Sequence, residues 1–329
     1  CMLEINDVIM RVISCGSISI DMKMLIWIAL CFLAKLYFLS ANTSIDVNPH
    51  NFSYLINNPD LCDSSEDIGL FVWVHSGPAN LRRRIALRET WANQKNVPHA
   101  VGKVQMVFFL GAIHNITLQN RLVYENELYG DLVQEDYADG YRNLTYKAMS
   151  GLKWITRYCH NIKLILKTDD DMVIDTKSLF IHLNHVARYP EKPIVNTILC
   201  DVWMNRAVER NKGMKWSVSK NEYRRERYPT YCPGLALLMS PDLVTKLWEN
   251  SQKVKFFWVD DVFFTGLLVE QLNVTWIQLG SLFHFGGNTL YTNFLELPNN
   301  YIFAHVFKYR NDVFYYLWKN MFKTQDLIW

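Results

Sequence analysis

None of the seven cysteines, at positions 1, 15, 31, 62, 159, 200 and 232, forms a CxxC pair with another. That spacing argues against thiolate zinc sites and dithiol redox motifs. The chain also lacks a Gly-rich phosphate loop of either the GxGxxG or the GxxxxGKS/T kind, so neither a dinucleotide site nor a P-loop is indicated. It has no internal repeat and no low-complexity tract, and its charges are dispersed. With 34 Lys and Arg against 32 Asp and Glu, the formal charge is +2, and nothing in that balance points to a nucleic-acid partner.

What is present is a chain of 329 residues, half of them hydrophobic, enough for one large domain or two smaller ones with a substantial core. Aromatic residues make up 14%, including 11 Trp; they suit stacking on sugar or base faces, and most are assigned to the core. One extended apolar run lies near a terminus, residues 24–41, interrupted by Lys35. Its length suits a spanning helix of about 17 to 20 residues, with Lys35 snorkelling to the headgroups. Cleavage as a signal peptide is disfavoured, because Leu39 stands where a small residue is wanted ahead of Ala41. Arg11 and Lys23 precede the run and favour a cytosolic N-terminus.

The expected layout is therefore a cytosolic tail at 1–23, a signal anchor at 24–41, a polar stem at 42–66 and a folded domain at 67–329, in a single-pass type II arrangement. Asn-x-Ser/Thr acceptors at Asn42, Asn51, Asn115, Asn143 and Asn273 all follow the apolar run, which fits a lumenal domain. Setting aside the first three cysteines leaves four, an even number compatible with two disulfides in an oxidising lumen.

Within the domain, β-rich runs alternate with helical patterns. Leu70–His75, Val104–Leu110, 131–136 and 162–168 read as strands; the segment ending at Trp91 and residues 143–158, 242–249 and 260–271 read as helices. Such alternation predicts an α/β fold with a mostly parallel central sheet.

The fourth strand ends in Lys167-Thr168-Asp169-Asp170-Asp171. Adjacent carboxylates at the end of a buried strand repel one another and lose water, and a divalent metal is the simplest compensation. Open α/β sheets also bind ligands beyond that end of their strands. The alternative is a solvated acidic turn, with Asp175 capping a helix at 176–188. Arg84 and Arg88 lie one helical turn apart just after the first strand and its loop. They make either an anion site for a nucleotide's phosphates or a solvated basic face pairing with Glu89.

Five stretches then occur in a telling order: Arg83-Arg84-x-Ala86-Leu87-Arg88-Glu89-Thr90-Trp91; Asp136-Tyr137-x-Asp139-x-Tyr141-x-Asn143-Leu144-Thr145-x-Lys147; Lys167 to Asp171; Tyr228-Pro229-x-Tyr231-Cys232-x-Gly234; and Asp260-Asp261-Val262. Over residues 70 to about 310 they resemble the ordered motifs of the β-1,3-galactosyltransferase family. The resemblance implies a GT-A fold and a metal-dependent, inverting enzyme of the Golgi membrane with a lumenal catalytic domain. It would move galactose or N-acetylglucosamine from a UDP-sugar to a glycan acceptor on glycoprotein or glycolipid, in β-1,3 linkage.

By that resemblance Asp171 ligates Mn²⁺ at the UDP phosphates, and Asp169 and Asp170 face ribose and sugar. Arg84, Arg88, Lys147 and Gly234 belong to the donor side, and Asp261 is the base that takes the proton from the acceptor's 3-hydroxyl. An imidazole ligand tilts the choice from Mg²⁺ to Mn²⁺; His305 resembles the family's late metal-binding histidine, with His284 the other candidate. Asp260 replaces a commoner glutamate, and Ala236 and Leu237 stand where a glycine and an aromatic residue are frequent, which leaves donor and acceptor choice open. Two rival expectations are a catalytically inactive relative that binds glycoprotein and a secreted lectin.

Overall fold

The computed structural model describes residues 50–63, 66–284, 301–306 and 310–323. The expected tail, anchor and first part of the stem lie outside these residues. Among the described residues no helix is long and apolar enough to cross a membrane.

An eight-stranded sheet organises the domain, in the order β1 (Tyr54–Ile56), β4 (Leu132–Ala138), β3 (Lys103–Ala112), β2 (Ile68–His75), β5 (Ile165–Asp169), β8 (Ala236–Met239), β7 (Thr197–Cys200) and β9 (Thr275–Gln278). A smaller sheet joins β10 (Phe283–His284), β11 (Phe303–His305) and β6 (Met172–Ile174). The helices are α1 (Leu81–Glu89), α2 (Ile116–Tyr129), α3 (Leu144–Tyr158), α4 (Thr176–Ala187), α5 (Asp242–Ser251) and α6 (Asn311–Lys323).

Every residue of β2 is buried, as expected of a central strand covered on both faces. Leu70, Val72 and Val74 pack into one core with residues of α1, α2, α4 and α6, whereas Phe71 and Trp73 point into a second core with α3 and α5. A Cβ on Gly151 of α3 would fall 2.1 Å from the Trp73 indole. Glycine at that position is what lets α3 lie directly on the strand.

The sheet is mixed, with four of its seven pairings parallel. Strands β4, β3, β2 and β5 pair in parallel, as do β7 and β9, but β1–β4, β5–β8 and β7–β8 are antiparallel. A parallel return needs a crossover, usually a helix; none lies between β7 and β8, and that stretch carries no periodic pattern to reveal the return. The consequence is functional, since β8 brings the loop ahead of it alongside the carboxyl end of β5.

Residues 50–62 belong to the folded unit, which therefore begins well before Asp67. Strand β1 pairs with β4, the buried His50 sets Nε2 2.6 Å from Glu135 Oε2, and Trp154 Nε1 donates to Asn57 Oδ1 at 2.8 Å. The segment reads as a stem because its partners in the fold are polar, so its polarity marks paired groups rather than solvent. Two disulfides close the fold, Cys62–Cys159 and Cys200–Cys232, using the four cysteines that follow the apolar run. The first spans 97 residues and should stabilise by restricting the unfolded chain. Replacing Cys62 with Ser is expected to lower the unfolding free energy by about 2 to 5 kcal/mol, read from the guanidinium midpoint; an unmoved midpoint would contradict the tie.

Asp175 caps α4, its carboxylate accepting from Ser178 N at 3.1 Å, as the acidic-turn reading requires of that residue. The helix expected over 260–271 is instead a short π-helical stretch, Val262–Leu267, with Leu268 N bonded to Phe263 O at 3.0 Å. Such π turns concentrate where side chains must be re-aimed.

Candidate active site

Parallel register sets His75 at the end of β2 beside Asp169 at the end of β5, so the acidic triplet opens beyond the carboxyl ends of the central strands. Its three carboxylates do different things. Asp170 turns inward: Oδ2 accepts from Ser76 Oγ at 2.7 Å and Asn80 Nδ2 at 2.9 Å, and Oδ1 from Arg83 Nη1 at 2.9 Å. Expected to face the donor, Asp170 is spent instead on fixing the loop after β2. The same Arg83 nitrogen reaches Asp171 Oδ2 at 3.0 Å.

Pairing of β11 with β6 carries His305 to the triplet. Its Nε2 lies 3.6 Å from Asp171 Oδ2, while Asp171 Oδ1 is buried without a hydrogen-bond partner. An orphaned carboxylate oxygen beside an imidazole fits a cation, and Asp171 with His305 are the two side chains that would hold it. Among the described residues no group of three His, Cys, Asp or Glu is arranged around one point. His284, the other candidate, pairs with Ala304 and packs edge-on to Tyr301 at 5.1 Å.

Asp169 keeps 35% of its side chain exposed, and its Oδ1 lies 3.4 Å from Lys167 Nζ and 3.9 Å from His75 Nδ1. Burial of the carboxylate pushes its pKa up to about 7 against the opposing charge of Lys167, with Asp171, Asp260 and Asp170 adding to the rise. The His75 ring is buried without a hydrogen bond at either nitrogen. Burial, then Lys167 and Lys147, holds it well below the usual histidine range and therefore neutral.

Lys167 connects the triplet to the Gly234 loop. Its buried ammonium donates to Gly234 O at 2.7 Å. A Cβ on Gly234 would sit 3.7 Å from Asp261 Cβ and 3.8 Å from Asp260 Oδ2, so the loop backbone borders both acids. Thr265 fixes the opposite side, donating to Asp261 O at 2.8 Å and accepting from Cys232 N at 2.9 Å. Asp261 itself accepts from Val262 N at 2.8 Å. Burial, then the charge of Asp260, pushes the Asp261 carboxyl up to about 7. A carboxylate tuned near neutrality is suited to accept a proton from a hydroxyl.

Arg84 and Arg88 are engaged in buried ion pairs behind the triplet, and Arg84 Nη1 also donates at 3.0 Å to the Ser76 hydroxyl that holds Asp170. Arg84 is fully buried and grips Glu125 with two bonds of 2.8 and 2.7 Å, and Gly77 O at 2.7 Å. Arg88 pairs with Asp131 at 2.7 and 2.8 Å and shares Glu125 at 2.8 Å. Burial opposes ionisation of Glu125, but the hydrogen bonds and charge of Arg84, then Arg88, outweigh it and hold its pKa down. These cations are neutralised struts, not an anion site. Lys147 is likewise buried, donating to Ser76 O at 2.6 Å and pairing with Asp139 at 2.8 Å. Removing one partner of a buried pair strands the other charge, so Arg84→Gln should cost about 3 to 5 kcal/mol of stability. Denaturant unfolding checks this; unchanged stability with weakened UDP binding would restore Arg84 to the donor site.

Arg83, His75, Ser76, Asn80 and Lys167 are the site residues that sequence reading passes over. Arg83 had a visible signal, since it sits in the same basic run as Arg84, but only the docking of α1 decides which of two adjacent arginines faces the cleft.

A family model described as galactosyltransferase matches residues 82–280. Human β-1,3-galactosyltransferase 2 is 31% identical over 72% of this chain and 56% of its own. Zebrafish lactosylceramide 1,3-N-acetyl-β-D-glucosaminyltransferase B is 31% identical over 71% of this chain and 63% of its own. The chain thus spans little more than half the length of these relatives. Among solved structures, the galactosyltransferase LgtC with donor and acceptor sugar analogues aligns over 77% of this chain and 96% of its own, with 12% identity and a TM-score of 0.39. The match over residues 82–280 contains the acidic triplet, the Gly234 loop and Asp261, and the chain belongs to the galactosyltransferase family.

Proposed function

We propose that this chain is an inverting hexosyltransferase of GT-A architecture, moving galactose or N-acetylglucosamine from a UDP-sugar to a glycan hydroxyl in β-1,3 linkage. The observation that carries this reading is the approach of two acidic groups, the triplet at the end of β5 and Asp261 behind Gly234, linked by Lys167, whose Nζ lies 3.4 Å from Asp169 Oδ1 and 2.7 Å from Gly234 O. One side suits a diphosphate with a cation, the other a hydroxyl that must lose its proton as its oxygen attacks the anomeric carbon. In that reading Asp261 takes the proton and Lys167 keeps the Gly234 backbone against the acids. Asp169, the least buried member of the triplet, faces the donor. Asp171 and His305 would hold Mn²⁺, which would stabilise the negative charge developing on the departing diphosphate.

The surroundings support a lumenal site of action. Two disulfides suit an oxidising compartment, and Asn51, Asn115 and Asn273 are exposed for glycosylation, whereas Asn143 is half-buried with its amide donating to Ala138 O at 2.8 Å. We therefore place the protein on the Golgi membrane with residues 24–41 as its anchor. An inactive, binding-only relative is less favoured, because mutually repelling buried acids are costly to retain without chemistry.

The test is UDP release by the full chain in mild detergent, given UDP-galactose or UDP-N-acetylglucosamine, Mn²⁺ and β-linked acceptors. Acceptor-dependent release names the donor. UDP binding with no release from any acceptor would turn the assignment to the binding-only relative.

A further inference from the structure

The near-neutral total of the chain conceals a strongly basic segment beside the cleft. Residues 203–230, between β7 and β8, hold eight Lys and Arg against three Glu, a local +5 in a chain whose formal total is +2. The segment is anchored at its ends and inside. Trp203 and Tyr231 exchange backbone bonds of 2.8 and 3.0 Å, and Arg210 donates to the carbonyls of Val218, Tyr223 and Arg225 at 2.8 to 2.9 Å.

It also leans on the wall that carries the proposed base. Trp258, two residues ahead of Asp260, donates to Glu222 at 3.0 Å and carries the Arg142 guanidinium 4.1 Å above its ring. Lys215 Nζ lies 3.6 Å over the Tyr141 ring, which in turn meets Trp258 edge-on at 6.3 Å. The phenol of Tyr141 is pushed up to about 12 by burial, then by Asp260 and Asp261, so this aromatic corner is within electrostatic reach of both acids. Tyr141 and Trp216 are 40% and 47% exposed.

Some of the segment's charge is answered, by Glu226 within it for Lys220 and by Glu270 outside it for Arg225. Lys212, Lys215 and Arg224 are exposed and have no carboxylate partner among the described residues. The exposed Trp216 ring, beside Lys215 in a segment whose Lys212, Lys215 and Arg224 lack carboxylate partners among the described residues, suits a sugar ring bearing an acidic substituent. The rings stack on apolar sugar faces, and the cations meet carboxylate or sulfate.

We propose that the acceptor is an anionic glycan, an oligosaccharide carrying carboxylate or sulfate groups, recognised by Lys212, Lys215 and Arg224 of the basic segment that packs, through Glu222 and Lys215, on Trp258 and Tyr141 beside Asp260 and Asp261. The proposal rests on the transferase reading above for its reaction but not for its binding surface.

The experiment compares one β-linked oligosaccharide in neutral, sulfated and uronate-bearing forms as acceptors for the full chain. It adds the triple variant Lys212→Glu/Lys215→Glu/Arg224→Glu and the control Lys163→Glu, which alters an exposed pair with Asp67 at the opposite, amino-terminal end of β2. An acidic acceptor should show about tenfold higher kcat/KM than its neutral twin, carried by KM, through attraction that raises local substrate concentration. That preference should shrink toward parity between about 50 and 500 mM salt, vanish in the triple variant and persist in the control. The sulfated and uronate arms tell which acidic group is preferred.

Equal kcat/KM on neutral and acidic acceptors would overturn the proposal, as would capture of the patch by phosphatidylserine vesicles with no acceptor preference. If no acceptor turns over, the transferase reading is what fails, and retention on immobilised heparin decides the rest. Later elution of the wild type than of the triple variant supports polyanion recognition, and identical elution overturns it.

Discussion

Asp261→Asn should lower kcat by about 10²- to 10⁴-fold, the usual worth of a positioned general base, while leaving UDP binding little changed. The substitution is shape-conserving. An Asn side-chain oxygen can still accept from Val262 N, as Asp261 does at 2.8 Å, so the π-helical stretch should survive and the loss can be assigned to proton transfer. A pH profile gives the second signature. Burial and Asp260 push the Asp261 carboxyl up to about 7; below that pH the group is protonated and cannot accept, so kcat/KM should climb with pH through about 7 and level off above it. In the Asn variant the residual rate should lose this limb. Asp260→Asn removes the like charge that, after burial, raises the Asp261 carboxyl most, so the limb should move to lower pH. Wild-type turnover by Asp261→Asn, or a limb indifferent to both substitutions, would take the base assignment away from this residue.

The cleft could be read from the sequence in its chemistry more than in its wiring. The acidic triplet alone fits a solvated turn as well as a metal site; its place among the ordered motifs is what singles it out, and Asp171 and His305 do meet, with 3.6 Å between them. Arg84 and Arg88 show the opposite case. Their helical spacing correctly placed both on one face of α1, but the face that looks like an anion site is turned toward Glu125 and Asp131, two acids distant in sequence and unremarkable there. Lys147, expected on the donor side, is a buried strut for a similar reason. Residues 50–62 were hidden because polar side chains that pair inside a fold look like solvated ones until their partners are known. Alternating strands and helices gave the parallel half of the sheet; the antiparallel half follows from a connection without regular structure, where periodicity carries no information.

Removing divalent metal should have the largest effect of any single treatment. The leaving group gains charge as it departs, and a hard cation at that point is worth several kcal/mol of barrier, so EDTA should reduce acceptor-dependent UDP release by about 10³-fold or more, with Mn²⁺ restoring it. The two proposed ligands should be separable. Asp171→Asn removes a carboxylate whose Oδ1 has no protein partner, and neither activity nor Mn²⁺ binding should recover at any ordinary Mn²⁺ concentration. His305→Ala keeps the carboxylate and should bind Mn²⁺ more weakly, with activity rescued by excess metal. Mn²⁺ binding in the presence of UDP, followed by the loss of the free-ion electron paramagnetic resonance signal, reads the site without relying on turnover. Arg83 supplies the internal control. Its Nη1 bridges Asp170 and Asp171 at 2.9 and 3.0 Å, so it competes with a cation for Asp171 while holding Asp170 in place. Arg83→Gln should therefore change the Mn²⁺ dependence, whereas a substitution at the neutralised Arg88 should change stability instead. Full activity in EDTA, together with unaltered Mn²⁺ binding in Asp171→Asn, would mean that the triplet is neutralised by Arg83 alone and that the diphosphate leaves without a metal.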